Sequence, residues 1–114
     1  MSLFPKNVNY ISTRRYIEGG KSSSNFENFN LALHVNDKKV SVLENRSLLK
    51  DYYGLPSNPV WINQTHSAIC VNASSTKRIV EADASYTLDP EVICAILTAD
   101  CLPVFVSKKD GSMV

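Results

Sequence analysis

The chain has almost no net charge and no long apolar run, and each shortage excludes a class of protein. Its 12 Lys and Arg balance 11 Asp and Glu over 114 residues, which leaves a formal charge of +1. Dispersed charges in this balance give no electrostatic footprint for nucleic acid or for an acidic membrane surface. No apolar stretch is long enough to span a bilayer, and the first residues lack the regions of a signal peptide. We therefore expect a cytoplasmic protein that grips any ligand through local contacts.

Cysteine and histidine are also scarce. Cys70, Cys94 and Cys101 are an odd number of cysteines in a chain without an export signal, so a disulfide framework is not expected. Each thiol is then either part of the core or part of a chemical site. His34 and His66 are the only histidines. The remaining composition, 44% apolar and 20% charged, is that of an ordinary soluble globular protein, and the length suits one domain.

Strand-like and helical patterns alternate along the chain. A helix is predicted over roughly residues 38–53, because Asn36 or Asp37 is a fitting N-cap, Gly54 supplies a stop and Pro56 prevents continuation. Short strands are predicted at 9–16, 60–62, 68–71, 82–87, 92–97 and 102–106. The apolar face of the helix is expected to consist of Val40, Leu43, Leu48, Leu49 and Tyr52. The fold class is therefore α+β, with a mixed, mostly antiparallel sheet and one main helix.

The last residues indicate that the chain stops inside a structural element. Residues 108–111 have the pattern of a hairpin turn, and 112–114 have the character of the first residues of its second strand. An unfinished strand leaves an exposed edge that favours pairing with another copy. We expect a truncated C-terminus and self-association through this strand.

Chemistry is expected near Cys101. It follows Asp100 where the apolar run 92–97 breaks before Pro103, which places a thiol and a carboxylate at the end of a rigid element. A buried structural cysteine explains the same position equally well. His66 lies in the polar loop 63–67, and a lone loop histidine is more often only exposed or hydrogen-bonded.

A thiolate with an imidazole suits zinc or copper far better than magnesium or calcium. One of each leaves a catalytic zinc at least one protein ligand short, unless His34 or a carboxylate such as Asp100 joins. The residues alone thus predict a Cys/His site without saying what it does.

Five blocks of the sequence resemble, in order and spacing, the YfiH family. This family is also known as the multicopper polyphenol oxidoreductase or laccase-domain family and as the purine nucleoside phosphorylase family. The blocks cover most of the chain from Asn30 onward, and the last block, with its upstream Asn-Gln-x-His, is highly specific. They are NLALHVND at 30–37, ENR at 44–46, WINQTH at 61–66, EADA at 81–84 and LTADCLPV at 97–104.

The resemblance implies that His66 and Cys101 are two ligands of a catalytic metal, zinc or alternatively copper. The family's third ligand is a histidine in a His-Ala-Gly-Trp-Arg-Gly motif, which is absent here, and family members are longer than this chain. We therefore expect residues 1–114 to be the N-terminal half of a single YfiH-like domain, with the third metal ligand beyond residue 114.

The activity implied by the resemblance is purine nucleoside chemistry. It comprises phosphorolysis of adenosine, inosine, guanosine and methylthioadenosine, and deamination of adenosine to inosine. Zinc acidifies water for the deamination, and Asp100 beside Cys101 is a candidate to move protons or to orient a ligand. Arg46 is the candidate phosphate-binding residue, with a plain exposed helix arginine as the alternative.

Two other functions compete with this one. A copper-dependent, laccase-like polyphenol oxidase passes electrons to a cluster of several coppers, which demands more histidines than the two present. An inactive fragment, truncated or domain-swapped, would have a binding or merely structural role. The nucleoside enzyme ranks first.

Overall fold

The computed structural model of the protein describes residues 3–114, which form two compact units. Unit 1 contains residues 3–11 and 59–114, and unit 2 contains Ser12–Asn58. The elements in chain order are a 3₁₀ turn at Ser24–Phe26, the helix α1 at Lys39–Tyr53, the strand β1 at Cys70–Asn72, a 3₁₀ turn at Ala73–Ser75 and the strand β2 at Ala84–Tyr86. The α+β class with one main helix is confirmed. No helix within residues 3–114 has the length and apolar character needed to cross a membrane.

The helix α1 of unit 2 lies where the sequence predicts it. It ends at Gly54, whose φ of 62° and ψ of 41° are left-handed, and the Gly54 N–H donates to the carbonyl of Asp51 at 3.3 Å. This is the usual glycine termination of a helix. The N-cap is Lys38 rather than Asn36 or Asp37, and it makes no side-chain capping bond.

The buried face of α1 differs from the predicted one. Val42, Asn45 and Leu49 are buried, whereas Val40 and Leu43 are 61% and 47% exposed. The faces differ because the buried face of α1 contains a polar side chain, Asn45, which is fully buried and faces the preceding loop. A search for apolar spacing cannot detect a helix face that is centred on an amide.

Asn45 holds the loop 20–31 against α1. Its Oδ1 accepts the Lys21 N–H at 2.8 Å, and its Nδ2 donates to Ser22 Oγ and to the Asn30 carbonyl, both at 2.9 Å. Ser22 and Asn30 in turn donate to the Asp37 carboxylate. Unit 2 is therefore organised around a hydrogen-bonded polar interior rather than a purely apolar core.

The paired strands of unit 1 run parallel. β1 pairs with β2 in the register Cys70↔Ala84 to Asn72↔Tyr86. Isolated bridges join Val60 with Cys94 and Asn63 with Glu81, and both are also parallel. The predicted mostly antiparallel sheet is thus not confirmed, because residues 73–83 carry the chain back before the next strand begins.

Several predicted strands are shorter than expected or absent. Within residues 3–114, no regular strand forms at 9–16, 60–62, 92–97 or 102–106. The turn at 108–111 is present, and Val114 exchanges two backbone hydrogen bonds with Thr87, at 2.9 and 3.1 Å. The exposed apolar segment therefore lies at 102–106 rather than at the last residues, since Leu102, Val104 and Val106 are 85%, 69% and 71% exposed.

Candidate functional site

The segments before His66 and before Cys101 run side by side in unit 1. The Val60 N–H donates to the Ile93 carbonyl at 2.8 Å. Four residues further on, the Gln64 side chain pairs with the backbone of Leu97: Nε2 donates to the Leu97 carbonyl at 2.8 Å, and Oε1 accepts the Leu97 N–H at 2.7 Å. Segments 60–64 and 93–97 are thus joined at both ends, by the parallel bridge between Val60 and Cys94 and by the Gln64–Leu97 pair.

The Gln64–Leu97 pair places the starts of two polar loops next to each other. The carboxyl ends of neighbouring parallel strands meet on one side of a sheet, and that side is where α/β sheets bind ligands. The loop 65–67 with His66 follows the first segment, and the loop 98–101 with Asp100 and Cys101 follows the second. All three side chains are exposed.

A third segment supplies a carboxylate to the His66 loop. The Asn63 N–H donates to the Val80 carbonyl at 2.8 Å, and the Ala82 N–H donates to the Asn63 carbonyl at 3.1 Å. Ala82 is fully buried. These contacts place Asp83, the next residue, against the loop 65–67.

Asp83 accepts hydrogen bonds from three successive backbone amides. Its Oδ1 accepts the N–H groups of Thr65 at 3.1 Å and Ser67 at 2.7 Å together with the Ser67 hydroxyl at 2.8 Å, and its Oδ2 accepts the His66 N–H at 3.2 Å. The Ser67 N–H contributes most to holding the pKa of Asp83 below its usual value, and the other bonds add to this against the opposing effect of burial. Asp83 is therefore a carboxylate at neutral pH.

His66 itself has a left-handed backbone, with φ of 61°. Such a value is uncommon for a residue other than glycine and marks a conformation that its surroundings impose. The Asp83 carboxylate is the group that accepts the backbone N–H groups of this turn, at residues 65–67.

The assignment of His66 and Cys101 as metal ligands stays a prediction. An imidazole and a thiol are suitable donors for zinc, but no group of three His, Cys, Asp or Glu side chains within residues 3–114 is arranged to hold a metal ion. Neither His34 nor Asp100 thus completes a set in this part of the chain. Among the other thiols, Cys70 is exposed and Cys94 is half-buried, and burial raises the pKa of the Cys94 thiol.

Arg46 lies on α1 in unit 2 and is not a plain exposed arginine. It is half-buried, and its Nε donates to the Leu31 carbonyl at 2.9 Å. Burial lowers the pKa of its guanidinium. His34 is exposed in the loop that follows Leu31.

Two residues of this site have no assigned role from the sequence. Gln64 and Asp83 lie inside the quoted blocks WINQTH and EADA, yet their partners are 33 and 16–18 residues away along the chain. Only the parallel pairing of distant segments reveals what their side chains bind.

Comparison with known proteins identifies the family. The family model described as multi-copper polyphenol oxidoreductase laccase matches residues 9–114. The chain belongs to this family, the YfiH family. It is 42% identical over 110 residues to a purine nucleoside phosphorylase of Haemophilus influenzae, covering 96% of this chain and 44% of that protein. It is 39% identical over 114 residues to the purine nucleoside phosphorylase YfiH of Escherichia coli K12, covering 96% of this chain and 45% of that protein.

A solved structure of the family has the same fold over most of the chain. The crystal structure of Neisseria meningitidis protein NMB0706, from the DUF152 family, superposes with a TM-score of 0.76 at 38% identity, over 83% of this chain and 39% of that one. This chain therefore spans less than half the length of the YfiH-family relatives that it matches.

Proposed function

We propose that this chain forms the part of a zinc-dependent purine nucleoside enzyme that supplies His66 and Cys101 to the metal. The observation that carries the proposal is that segments 60–64 and 93–97 are joined by the parallel bridge between Val60 and Cys94 and, next to the two loops, by the Gln64–Leu97 pair. It supports a common location for the loops 65–67 and 98–101 at one edge. Relatives named purine nucleoside phosphorylase supply the class of reaction.

The donor set decides which metal fits. One imidazole and one thiolate suit zinc, and a catalytic zinc takes three protein ligands, so a further ligand must come from outside the described residues. The family resemblance implies that this ligand is a histidine. When bound, zinc acidifies water and polarises the purine ring, which suits deamination of adenosine. Asp100, which is exposed and adjacent to Cys101 in the sequence, is our candidate to accept or return the proton.

Phosphorolysis requires a cation for phosphate, and Arg46 is our candidate. A guanidinium held by its Nε on the Leu31 carbonyl has a fixed plane, as bidentate binding of phosphate requires. The proposed substrates are inorganic phosphate with adenosine, inosine, guanosine or methylthioadenosine.

The ligand pair is tested with Co²⁺ as a spectroscopic substitute for zinc. Free imidazole, held in the same excess for every variant, fills the open coordination positions but lacks the attachment to the chain that makes His66 a chelating ligand. The thiolate-to-cobalt absorption reports binding through sulfur. We expect His66→Ala and Cys101→Ala to lower Co²⁺ affinity by at least about tenfold. His34→Ala and Cys70→Ala remove an equally exposed imidazole and thiol and should leave the affinity unchanged. Equal affinities in all four variants would refute the assignment.

The role of Arg46 is tested by separating the two reactions in a chain that supplies the third histidine. Arg46→Ala should lower phosphorolysis more than adenosine deamination, because only the first reaction binds phosphate. Arg46→Lys keeps the charge but loses the planar donor pair, and we expect it to restore phosphorolysis only in part. A parallel loss of both reactions would assign Arg46 a structural role instead.

The copper-dependent oxidase remains the second candidate, because the description of the matched family names it. Oxygen uptake with a phenol, measured with and without added copper, separates it from the nucleoside enzyme. Copper-dependent uptake without any nucleoside turnover would reverse the ranking.

A further inference from the structure

We propose that Asp83 is a positioning residue that fixes the direction of the His66 imidazole by holding the turn 65–67 around its carboxylate. The inference rests on the proposed function, since it takes His66 to be a metal ligand. The proposal has a structural half, that Asp83 holds the turn 65–67, and a functional half, that this turn orients His66 for the metal. The structural half depends only on the observed hydrogen bonds.

The carboxylate lies at the centre of a closed loop. On one side, Asn63 is paired with the backbone of Val80 and Ala82; on the other, the Asp83 and Ala84 N–H groups donate to the Ile69 carbonyl at 3.1 and 3.2 Å. The residues before and after the loop 64–68 are therefore both hydrogen-bonded to the segment 80–84, on either side of Asp83. Their amides converge on its two oxygens, as successive backbone N–H groups do in an anion-binding nest.

The bonds also explain why His66 adopts a conformation that side chains disfavour. With φ at 61°, the His66 N–H points to the same side as those of Thr65 and Ser67, and all three reach Asp83. An extended backbone at residue 66 would turn successive amides to opposite sides. Loss of the carboxylate thus releases the backbone angle that sets where the imidazole points.

Side chains of similar size cannot replace the carboxylate at position 83. Asparagine has nearly the same shape, but one of its two terminal atoms is a donor, so it cannot accept from Thr65, Ser67 and His66 together. Glutamate accepts equally well, but its additional methylene moves the two oxygens away from the positions that the three amides reach. The Ser67 side chain contributes only a hydroxyl, which donates to Asp83 and accepts the Ile69 N–H at 3.3 Å. Ser67→Ala is therefore a matched control that keeps the three amide bonds to Asp83.

The structural half is tested by NMR on the 114-residue chain without metal. In the parent chain and in Ser67→Ala we expect slow hydrogen exchange at the amides of 65–67 and a strong intraresidue HN–Hα cross-peak at His66, as positive φ requires. Asp83→Asn should lose both signals, while the amides of α1 in unit 2 keep their protection. If Asp83→Asn does not fold, Asp83→Glu provides the same comparison. Retention of both signals in the Asp83 variants would overturn the proposal.

The functional half uses Co²⁺ with excess imidazole, as for the ligand pair. Loss of an outer residue that orients a ligand lowers metal affinity by about 10- to 100-fold, and we expect this range for Asp83→Asn and less than about threefold for Ser67→Ala. A released turn with unchanged Co²⁺ affinity would show that Asp83 does not position His66 for the metal. Failure of the parent chain to bind Co²⁺ at all, with the turn still dependent on Asp83, would refute the ligand pair and leave the structural half confirmed.

Discussion

At the scale of single residues, Asn45 joins the helix of unit 2 to the loop that precedes it. It is fully buried and satisfies Lys21 N–H, Ser22 Oγ and the Asn30 carbonyl at once. Replacing it by Ala leaves two backbone groups of the loop without a partner, and each such group costs about 1–3 kcal/mol.

We therefore expect Asn45→Ala to lower the free energy of unfolding by about 2–4 kcal/mol, measured by urea denaturation. Glu44→Ala changes the exposed neighbour on the same helix turn and should stay within about 0.5 kcal/mol. Similar values for the two variants would mean that the polar interior of unit 2 adds nothing to stability.

Residue chemistry also decides which parts of the site the sequence could predict. Cys101 and His66 can be singled out because cysteine and histidine are rare in this sequence and each has few common roles in proteins. Asp83 does not stand out, because one aspartate among eleven acidic residues carries no local signal. Its role follows from its hydrogen bonds to the backbone amides of residues 65–67, which come together only in the folded loop.

At the scale of elements, the Gln64 side chain joins segments 60–64 and 93–97 at the end next to the site. Both of its terminal atoms bind the backbone of Leu97, at 2.8 and 2.7 Å. Methionine has a similar length but can replace neither bond, so Gln64→Met leaves the Leu97 N–H and carbonyl unpaired.

We expect Gln64→Met to lower the free energy of unfolding by about 1–3 kcal/mol and to weaken Co²⁺ binding in the imidazole assay. Asn63→Ala changes an exposed neighbouring side chain while leaving the backbone pairing of residue 63 intact, and it serves as the control. Unchanged Co²⁺ affinity in Gln64→Met would show that this end of the register does not place the two loops.

The elements also differ in how well the sequence predicts them, for a physical reason. α1 is predicted well because its stop is local: Gly54 needs no distant partner to adopt a left-handed φ. Strands need partners, and the apolar runs at 92–97 and 102–106 do not state which segment pairs with them or in which direction. For this reason the predicted, mostly antiparallel direction of the strands is not confirmed.

At the scale of the whole molecule, the apolar run 102–106 is the feature that most affects behaviour in solution. Leu102, Val104 and Val106 are largely exposed, and within residues 3–114 the backbone of 102–106 makes no hydrogen bond with another backbone segment. An extended apolar segment with unpaired N–H and C=O groups is a template for pairing with a second copy.

We expect the 114-residue chain to self-associate as its concentration rises, measured by size-exclusion chromatography with light scattering. Val104→Lys places a charge in the middle of the run and should shift the chain toward monomer, because charged side chains block edge pairing. Ile79→Lys makes the same change at a residue that is 57% exposed outside the run, and it should leave the association unchanged. A parent chain that stays monomeric at all concentrations would exclude pairing through 102–106. Equal effects of the two lysines would instead assign the association to general surface hydrophobicity.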